Sequence, residues 1–161
     1  MLRREVAAGS DLGREVRPIM EHGGLVSDEL MLRVIVHRLE ADDAVPGVLL
    51  DGFPRTVEQA IGLDEVLQER KKPVDIVLHL LVPEERVYAR LERRAKIDGR
   101  KDDSLATVAQ RLAVYDAETF PVLEYYASRG TRVEHIDGDG TIEEVAARID
   151  RVLSEPPATI P

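Results

Sequence analysis

The chain has 161 residues, of which 43% are hydrophobic and 33% are charged, which suits one domain with a substantial core better than two. It contains no cysteine, which excludes disulfides, thiolate catalysis and cysteine-ligated zinc and fits a reducing compartment. Its formal charge of −9 disfavours nonspecific binding to nucleic acid, and we find neither a signal peptide nor the roughly 18 apolar residues of a membrane span. We therefore expect a soluble protein of the cytoplasm that binds neither nucleic acid nor membranes.

Three helices are predicted at the amino end of the chain. The first two, over residues 1–8 and 11–22, are separated by a glycine, after which Ser10 or Asp11 could cap the second helix. A third helix follows Ser27 and places four apolar residues on one face: Leu30, Val34, Ile35 and Leu39.

Short apolar runs alternate with helical patterns through the rest of the chain. Three buried strands are predicted, over residues 48–50, 74–81 and 132–136. The predicted helices between and after them cover residues 56–70, 84–94, about 105–128 and 142–153. Strands separated by helices favour an α/β fold with a parallel sheet and right-handed crossovers. The polar segment 95–104 is expected to be a mobile flap, and residues 154–161 a disordered tail.

The segment VLLDGFPRTVEQA, residues 48–60, carries the strongest sign of chemistry. It is typical of a buried strand that brings Asp51 and Arg55 to its carboxyl end, where ligands bind in open α/β sheets. The carboxylate of Asp51 could hold magnesium against phosphates, and the guanidinium of Arg55 offers a planar fork to a phosphate group. The sequence contains no glycine-rich phosphate loop of the form G-x-x-x-x-G-K-[ST], which such sites also need.

Four arginines in the second half of the chain could converge on one polyphosphate: Arg90, Arg94, Arg100 and Arg111. Phosphoryl transfer asks the protein mainly for positioning and charge neutralisation, which arginines from separate elements can supply. For the stretch around Arg90 taken alone, an ordinary solvated helix face is the better interpretation. Asp102 and Asp103 could latch the closed flap or simply begin a helix, since acids favour helix amino termini. The four histidines show no metal-ligand spacing and are interpreted as structural or surface residues.

Several motifs, in this order and at these spacings, resemble those of adenylate kinases with a short lid. They are MLRREVAAGSDLG, GGLVSDE, LLDGFPRTVEQA and the run RLERR, DGRKDD and QRL, and the resemblance covers residues 1 to about 153 as one domain. It implies that helices within about residues 1–30 bind AMP and that residues 95–104 form the lid. It further implies a monomeric phosphotransferase that converts ATP and AMP into two ADP, with Mg²⁺ accompanying ATP.

The resemblance also implies a role for each residue that matches the family's motifs. AMP would be bound by six residues: Arg3, Val26, Arg55, Gln59, Arg100 and Arg111. ATP would be bound by Arg90, Arg94 and the backbone of Gly140, and the catalytic arginines would be Arg55, Arg94, Arg100 and Arg111. Asp51 matches an acid near magnesium, with contact through water, and Asp102 and Asp103 belong to the lid. Gln59 looks like the adenine-selecting residue, which argues against a relative of UMP or CMP kinases.

The sequence departs from the family's pattern in one large respect. Family members carry a strand, a phosphate loop of the GxPGxGKGT kind, a helix and a second strand before the segment matched here. We therefore expect a P-loop-kinase-like sheet that is incomplete, with three of five strands and an exposed edge through which the chain could self-associate. Because the loop's lysine and amides would hold the β- and γ-phosphates, we expect little or no turnover from these residues alone. Two alternatives stay open: a non-catalytic protein that binds AMP or another nucleotide, and an unstable gene fragment.

Overall fold

The computed structural model describes residues 2–21, 26–98 and 105–155. Eight α-helices and two strands lie within these ranges, together with a 3-10 turn at Asp42–Ala44 and a π-helical turn at Tyr115–Thr119. In chain order the elements are α1 Leu2–Ala8, α2 Asp11–Glu21, α3 Asp28–Leu39, α4 Val57–Glu69, β1 Ile76–Leu81, α5 Glu84–Asp98, α6 Leu105–Val114, α7 Phe120–Ser128, β2 Arg132–Asp137 and α8 Ile142–Ser154. None of the described helices is both long enough and apolar enough to cross a bilayer.

The chain divides into two compact units. The first unit combines Met1–Pro54 with Glu58–Lys72, and the second combines Arg55–Val57 with Pro73–Pro161. The first unit contains α1 to α3 and nearly all of α4, and the second contains the two strands and α5 to α8. The prediction of a single domain over residues 1–153 stays a prediction.

Local capping explains where the helices of the first unit begin. The hydroxyl of Ser10 accepts a hydrogen bond of 3.0 Å from the amide of Gly13, and the hydroxyl of Ser27 accepts one of 3.3 Å from the amide of Leu30. Each bond satisfies one of the amides that a helix amino terminus leaves without an intrahelical partner. The predicted start of α3 at Ser27 is confirmed, as is Ser10 as the cap of α2.

The helices of the first unit enclose a small apolar core. Val16, Leu30 and Val34 form its centre, and five partly buried side chains pack against it: Leu2, Val6, Leu12, Ile19 and Val26. The predicted apolar face of α3 is confirmed at its centre, since Leu30, Val34 and Ile35 are buried, whereas Leu39 is half-buried. On α4 the buried side chains are Gln59, Ala60, Leu63 and Leu67.

The second unit is built on a parallel pair of strands. β1 and β2 pair from Ile76 opposite Arg132 to Leu81 opposite Asp137. Both strands and the helices around them were predicted, so the α/β class with a parallel sheet is confirmed. Helices α7 and α8 both contact β2, and Val122 and Tyr126 of α7 are buried, as is Ile136 of β2.

The predicted strand over residues 48–50 is wrong. These residues have no regular secondary structure, and the sheet within the described part of the chain has two strands, not three. A strand exists only when its backbone groups pair with a neighbour, and here Leu49 is 81% exposed where a central strand would be buried. The apolar run therefore predicted burial and pairing that these residues do not have.

Two predicted helix boundaries also differ from the structure. The helix predicted over 84–94 continues through Asp98, so the first residues of the predicted flap 95–104 are helical, and 99–104 lie outside the described residues. The single helix predicted over about 105–128 is interrupted by the π-helical turn. Pro121 follows this turn at the start of α7, and because proline lacks an amide hydrogen it cannot continue a regular α-helical ladder.

Candidate functional site

The carboxyl ends of β1 and β2, at one edge of the sheet, are closely packed against each other. The amide of Gly138, directly after β2, donates a hydrogen bond of 2.7 Å to the carbonyl of Leu81, the last residue of β1. A methyl group on Gly138 would lie 2.8 Å from Cγ2 of Val82 and 3.2 Å from Cβ of Leu80, so a side chain there would displace the Val82 methyl group and crowd the end of β1. In α/β sheets this edge is where ligands are bound.

Arg90 reaches from α5 to the loop that leaves this edge. Its Nη2 donates hydrogen bonds of 3.1 Å to the carbonyl of Gly138 and 3.3 Å to the carbonyl of Gly140. Gly140 has a φ of 136°, in a region that side chains disfavour, so the loop's conformation depends on glycine there. The structure therefore brings together two of the residues that the sequence predicted for ATP, although they are 50 positions apart.

Two further arginines border the same loop, and the sequence analysis missed both as site residues. Arg148 of α8 donates from Nη1 to the carbonyl of Asp137 at 2.8 Å and also to the carbonyl of Asp139. Arg86 of α5 places Nε 3.3 Å from the carboxylate of Asp139, which also lies 3.6 Å from Nη2 of Arg90. We call Asp137–Gly140 the β2 loop; within the described residues it is surrounded by arginines from two helices.

The helix after the β2 loop begins with a complete capping box. The hydroxyl of Thr141 accepts from the amide of Glu144 at 3.2 Å, and the carboxylate of Glu144 accepts from the amide of Thr141 at 2.8 Å. Donors at this helix amino terminus, a backbone amide and then the Thr141 hydroxyl, hold the pKa of Glu143 below its ordinary value. Because Thr141 directly follows Gly140, this capping box holds the backbone beside Gly140 in place.

Gln59 and Val26, two residues predicted for AMP, lie in the first unit. Gln59 is 7% exposed, and its Nε2 donates a hydrogen bond of 2.6 Å to Oδ1 of Asp28, the first residue of α3. This bond fixes the orientation of the amide, which is what a side chain needs if it is to read the polar edge of a base. Val26 packs against the core formed by Val16, Leu30 and Val34.

Asp51 and Arg55 lie on either side of a buried phenylalanine in irregular backbone, not at the carboxyl end of a strand as predicted, because residues 48–50 form no strand. Asp51 is exposed, Gly52 has a φ of 70°, and Phe53 is only 7% exposed. In the second unit, the side chain of Arg55 is exposed and its carbonyl accepts a hydrogen bond of 2.9 Å from the hydroxyl of Thr119. Within the described residues no group of three or more histidine, aspartate or glutamate side chains could hold a metal ion.

The remaining predicted residues fall outside what the structure describes. For Arg3, Arg94 and Arg111 this applies to the side chains, and for Arg100, Asp102 and Asp103 it applies to the whole residue. The AMP, catalytic and lid roles of these residues stay predictions.

A chain of polar rings on the sheet was not foreseen as a connected group. His79 of β1 and His135 of β2 stand opposite each other, with their Nδ1 atoms 2.9 Å apart, and the hydroxyl of Tyr115 lies 2.7 Å from Nε2 of His79. Burial, with a smaller contribution from His135, lowers the pKa of His79, while burial and then Asp116 raise the pKa of Tyr115. The sequence interpreted these histidines as structural or surface residues, and only the strand register could show that they pair.

Comparison with known proteins identifies relatives over nearly the whole chain. The sequence profile of the family described as "Adenylate kinase" matches residues 1–131. The adenylate kinase of Hyphomonas neptunium is 44% identical over 155 residues, which cover 96% of this chain and 82% of that protein. The adenylate kinase of Stenotrophomonas maltophilia is 45% identical over 149 residues, covering 92% and 79%. The adenylate kinase of Caulobacter vibrioides is 44% identical over 153 residues, covering 95% and 80%.

Proposed function

The chain belongs to the adenylate kinase family of nucleoside monophosphate kinases, and we propose that it transfers a phosphoryl group from ATP to AMP to give two ADP. The observation that carries this proposal beyond family membership is the hydrogen bond between Arg90 and the carbonyl of Gly140. These two residues match ATP contacts of the family by sequence, and they meet at the sheet edge where α/β proteins bind ligands. We further propose that the chain acts in the cytoplasm as a monomer.

In the proposed reaction a phosphate oxygen of AMP attacks the γ-phosphorus of ATP in line, and the bond to the bridging oxygen of the leaving ADP breaks. Arg55 orients the acceptor phosphate, and three arginines neutralise the charge that develops on the transferred group: Arg94, Arg100 and Arg111. The segment 95–104 closes over the nucleotides and excludes water. No side chain acts as a nucleophile.

The exposed carboxylate of Asp51 has the donor chemistry that suits magnesium, which prefers hard oxygen ligands and keeps several of its waters. We propose that Asp51 holds Mg²⁺ through water at the phosphates of ATP. The ion supplies charge neutralisation on the phosphate oxygens when it is bound. Its binding requires no larger protein cage, which fits the lack of a three-ligand group among the described residues.

The first test is ADP formation from ATP, AMP and Mg²⁺ by the 161-residue chain and by the same chain extended upstream with a strand, phosphate loop, helix and strand from a relative. We expect turnover from the extended chain and little from the 161 residues alone, since the sequence contains no G-x-x-x-x-G-K-[ST] run. If neither form makes ADP although both are folded, the chain is not a phosphotransferase. Retained AMP binding in that case would favour a non-catalytic nucleotide-binding protein.

A second test concerns the acceptor site and uses Gln59→Leu in the extended chain. Loss of the amide should raise KM for AMP about 10- to 100-fold, the equivalent of one to two hydrogen bonds, and leave KM for ATP nearly unchanged. Gln68→Leu is the matched control, because Gln68 is an exposed glutamine on the same helix. Equal effects of the two substitutions on KM for AMP would remove Gln59 from the proposed AMP site.

A further inference from the structure

We propose that Arg148 is a positioning residue for ATP, because it holds the β2 loop in the conformation that presents Gly140 to the adenine. This inference rests on the proposed function, since it assumes that Gly140 meets ATP. Nothing in the family motifs points to Arg148, and its proposed role follows from the way it holds the loop's backbone.

The four carbonyl groups of the β2 loop are divided between two arginines. Those of Asp137 and Asp139 accept from Nη1 of Arg148, at 2.8 Å and 2.5 Å. Those of Gly138 and Gly140 accept from Nη2 of Arg90, at 3.1 Å and 3.3 Å. Successive carbonyls therefore bond to guanidinium groups from two different helices, and this alternation defines the orientation of every peptide unit in the loop.

Two amide hydrogens of the loop, those of Asp139 and Gly140, are satisfied from within it. The amide of Asp139 donates to the carboxylate of Asp137 at 2.9 Å, and the amide of Gly140 donates to the carboxylate of Asp139 at 3.1 Å. Arg148 also lies 3.3 Å from the carboxylate of Asp137, so it neutralises one of the two acids that organise these amides. Removing its guanidinium would release two carbonyls and one carboxylate together.

Gly140 depends on this support because its own conformation is permissive. Glycine at a φ of 136° has no side chain to restrict the backbone, so neighbouring bonds must select the conformation. The Gly140 carbonyl can accept a hydrogen bond from the exocyclic amino group of adenine, whereas guanine presents a carbonyl oxygen at the corresponding position and would be repelled. Loosening the loop should therefore weaken ATP binding and reduce the preference for ATP over GTP.

The experiment uses as parent the chain extended upstream with the phosphate-loop segment of a relative, and compares it with its Arg148→Met, Arg148→Lys and Arg151→Met variants. Methionine keeps the length of the stem and removes all donors, while lysine keeps the charge but not the planar fork. Arg151 is an exposed arginine near the end of the same helix, so its replacement removes the same charge away from the loop. Binding of ATP, GTP and AMP is measured separately by titration calorimetry with Mg²⁺ present, and helical content is checked by circular dichroism.

We expect Arg148→Met to weaken ATP binding roughly tenfold, the loss of about one net hydrogen bond, and to lower the ATP-to-GTP ratio. AMP affinity should stay within about twofold, Arg148→Lys should recover part of the loss, and Arg151→Met should match the parent. An unchanged ATP affinity, or an equal loss for ATP and AMP, would overturn the positioning role while leaving the proposed function standing. A folded parent chain that binds no ATP would instead refute the proposed donor site, and this inference with it.

Discussion

Gly13 offers the sharpest test of the packing in the first unit, because helix propensity and packing predict opposite results for Gly13→Ala. Replacing a helical glycine with alanine normally stabilises the helix by up to about 1 kcal/mol, and Gly13 lies in the first turn of α2. In this structure Gly13 is buried where α2 meets α1, and a methyl group would overlap the carbonyl group of Glu5 and lie 2.9 Å from the amide nitrogen of Val6. We therefore expect Gly13→Ala to destabilise the first unit.

The expected loss of stability in Gly13→Ala depends on which atoms must move to admit the methyl group. The obstacle is backbone, which cannot rotate away as a side-chain end can, so α1 must shift and loosen the packing of Leu2 and Val6 against the core. Overpacking of this kind costs about 1 to 3 kcal/mol or more, and the gain in helix propensity offsets about 1 kcal/mol of it. Because the obstacle at Gly13 is backbone, we take the upper end of this range, about 3 kcal/mol, so the expected net loss in the free energy of unfolding is about 2 kcal/mol.

Two other glycines provide matched controls. Gly9 has a φ of 65° with nothing within 4 Å of an added Cβ, so Gly9→Ala should cost only the left-handed strain of about 1 kcal/mol. At Gly62 the added methyl group would meet the Cδ1 end of Leu32, which can change rotamer, so Gly62→Ala should be nearly neutral.

Urea unfolding can assign these effects to a unit. The chain has no tryptophan, and its four tyrosines lie at 88, 115, 125 and 126, all in the second unit. Tyrosine fluorescence therefore follows the second unit, while far-ultraviolet circular dichroism follows helices of both units. If Gly13→Ala is as stable as the parent by circular dichroism, or more stable, α1 does not pack on α2 as described and helix propensity governs the site.

Two further predictions concern the second unit. Because the pKa of His79 is lowered in the folded chain, His79 of the unfolded chain is protonated first as pH falls through about 6.5, and this favours unfolding. The urea midpoint measured by tyrosine fluorescence should therefore decrease from about pH 7.5 to about pH 5.5, and the decrease should be smaller in His79→Asn. A parent midpoint that is constant over this window would contradict the burial of His79. Thr141→Ala should lower the free energy of unfolding by about 1 kcal/mol through loss of the capping box. Thr141→Ser keeps the hydroxyl and should therefore retain most of the parent's stability. An equal loss in both Thr141 variants would show that the hydroxyl is not the source of the effect.

The parts of the fold that could be predicted from the sequence are those set by neighbours along the chain. Ser10 and Ser27 cap the helices that follow them, and both bonds join residues three positions apart. The apolar run at residues 48–50 carries the same local signal as β1, yet only β1 has a strand beside it. Strand pairing is a contact between distant residues, so an apolar run predicts only that a segment can become a strand.

The candidate site likewise combines residues that the sequence could indicate with contacts that only the structure shows. Arg90 and Gly140 entered the site through resemblance to a family, not through their spacing, and the distance between them became visible only in the structure. Arg148 did carry a local signal, since Thr141, Glu144 and Arg148 recur at helical spacing on one side of α8. Because helical side chains lean toward the amino terminus of their helix, this polar face of α8 points toward the β2 loop, which precedes α8.

The hydrogen bonds among Tyr115, His79 and His135 suit a neutral His79 in the folded sheet. The raised pKa of Tyr115 keeps its hydroxyl protonated, so it can donate to Nε2 of a neutral His79, which then donates from Nδ1 to Nδ1 of His135. A proton added to Nε2 of His79 would require the bond with Tyr115 to reverse direction, so this arrangement favours the neutral ring that the lowered pKa of His79 also indicates.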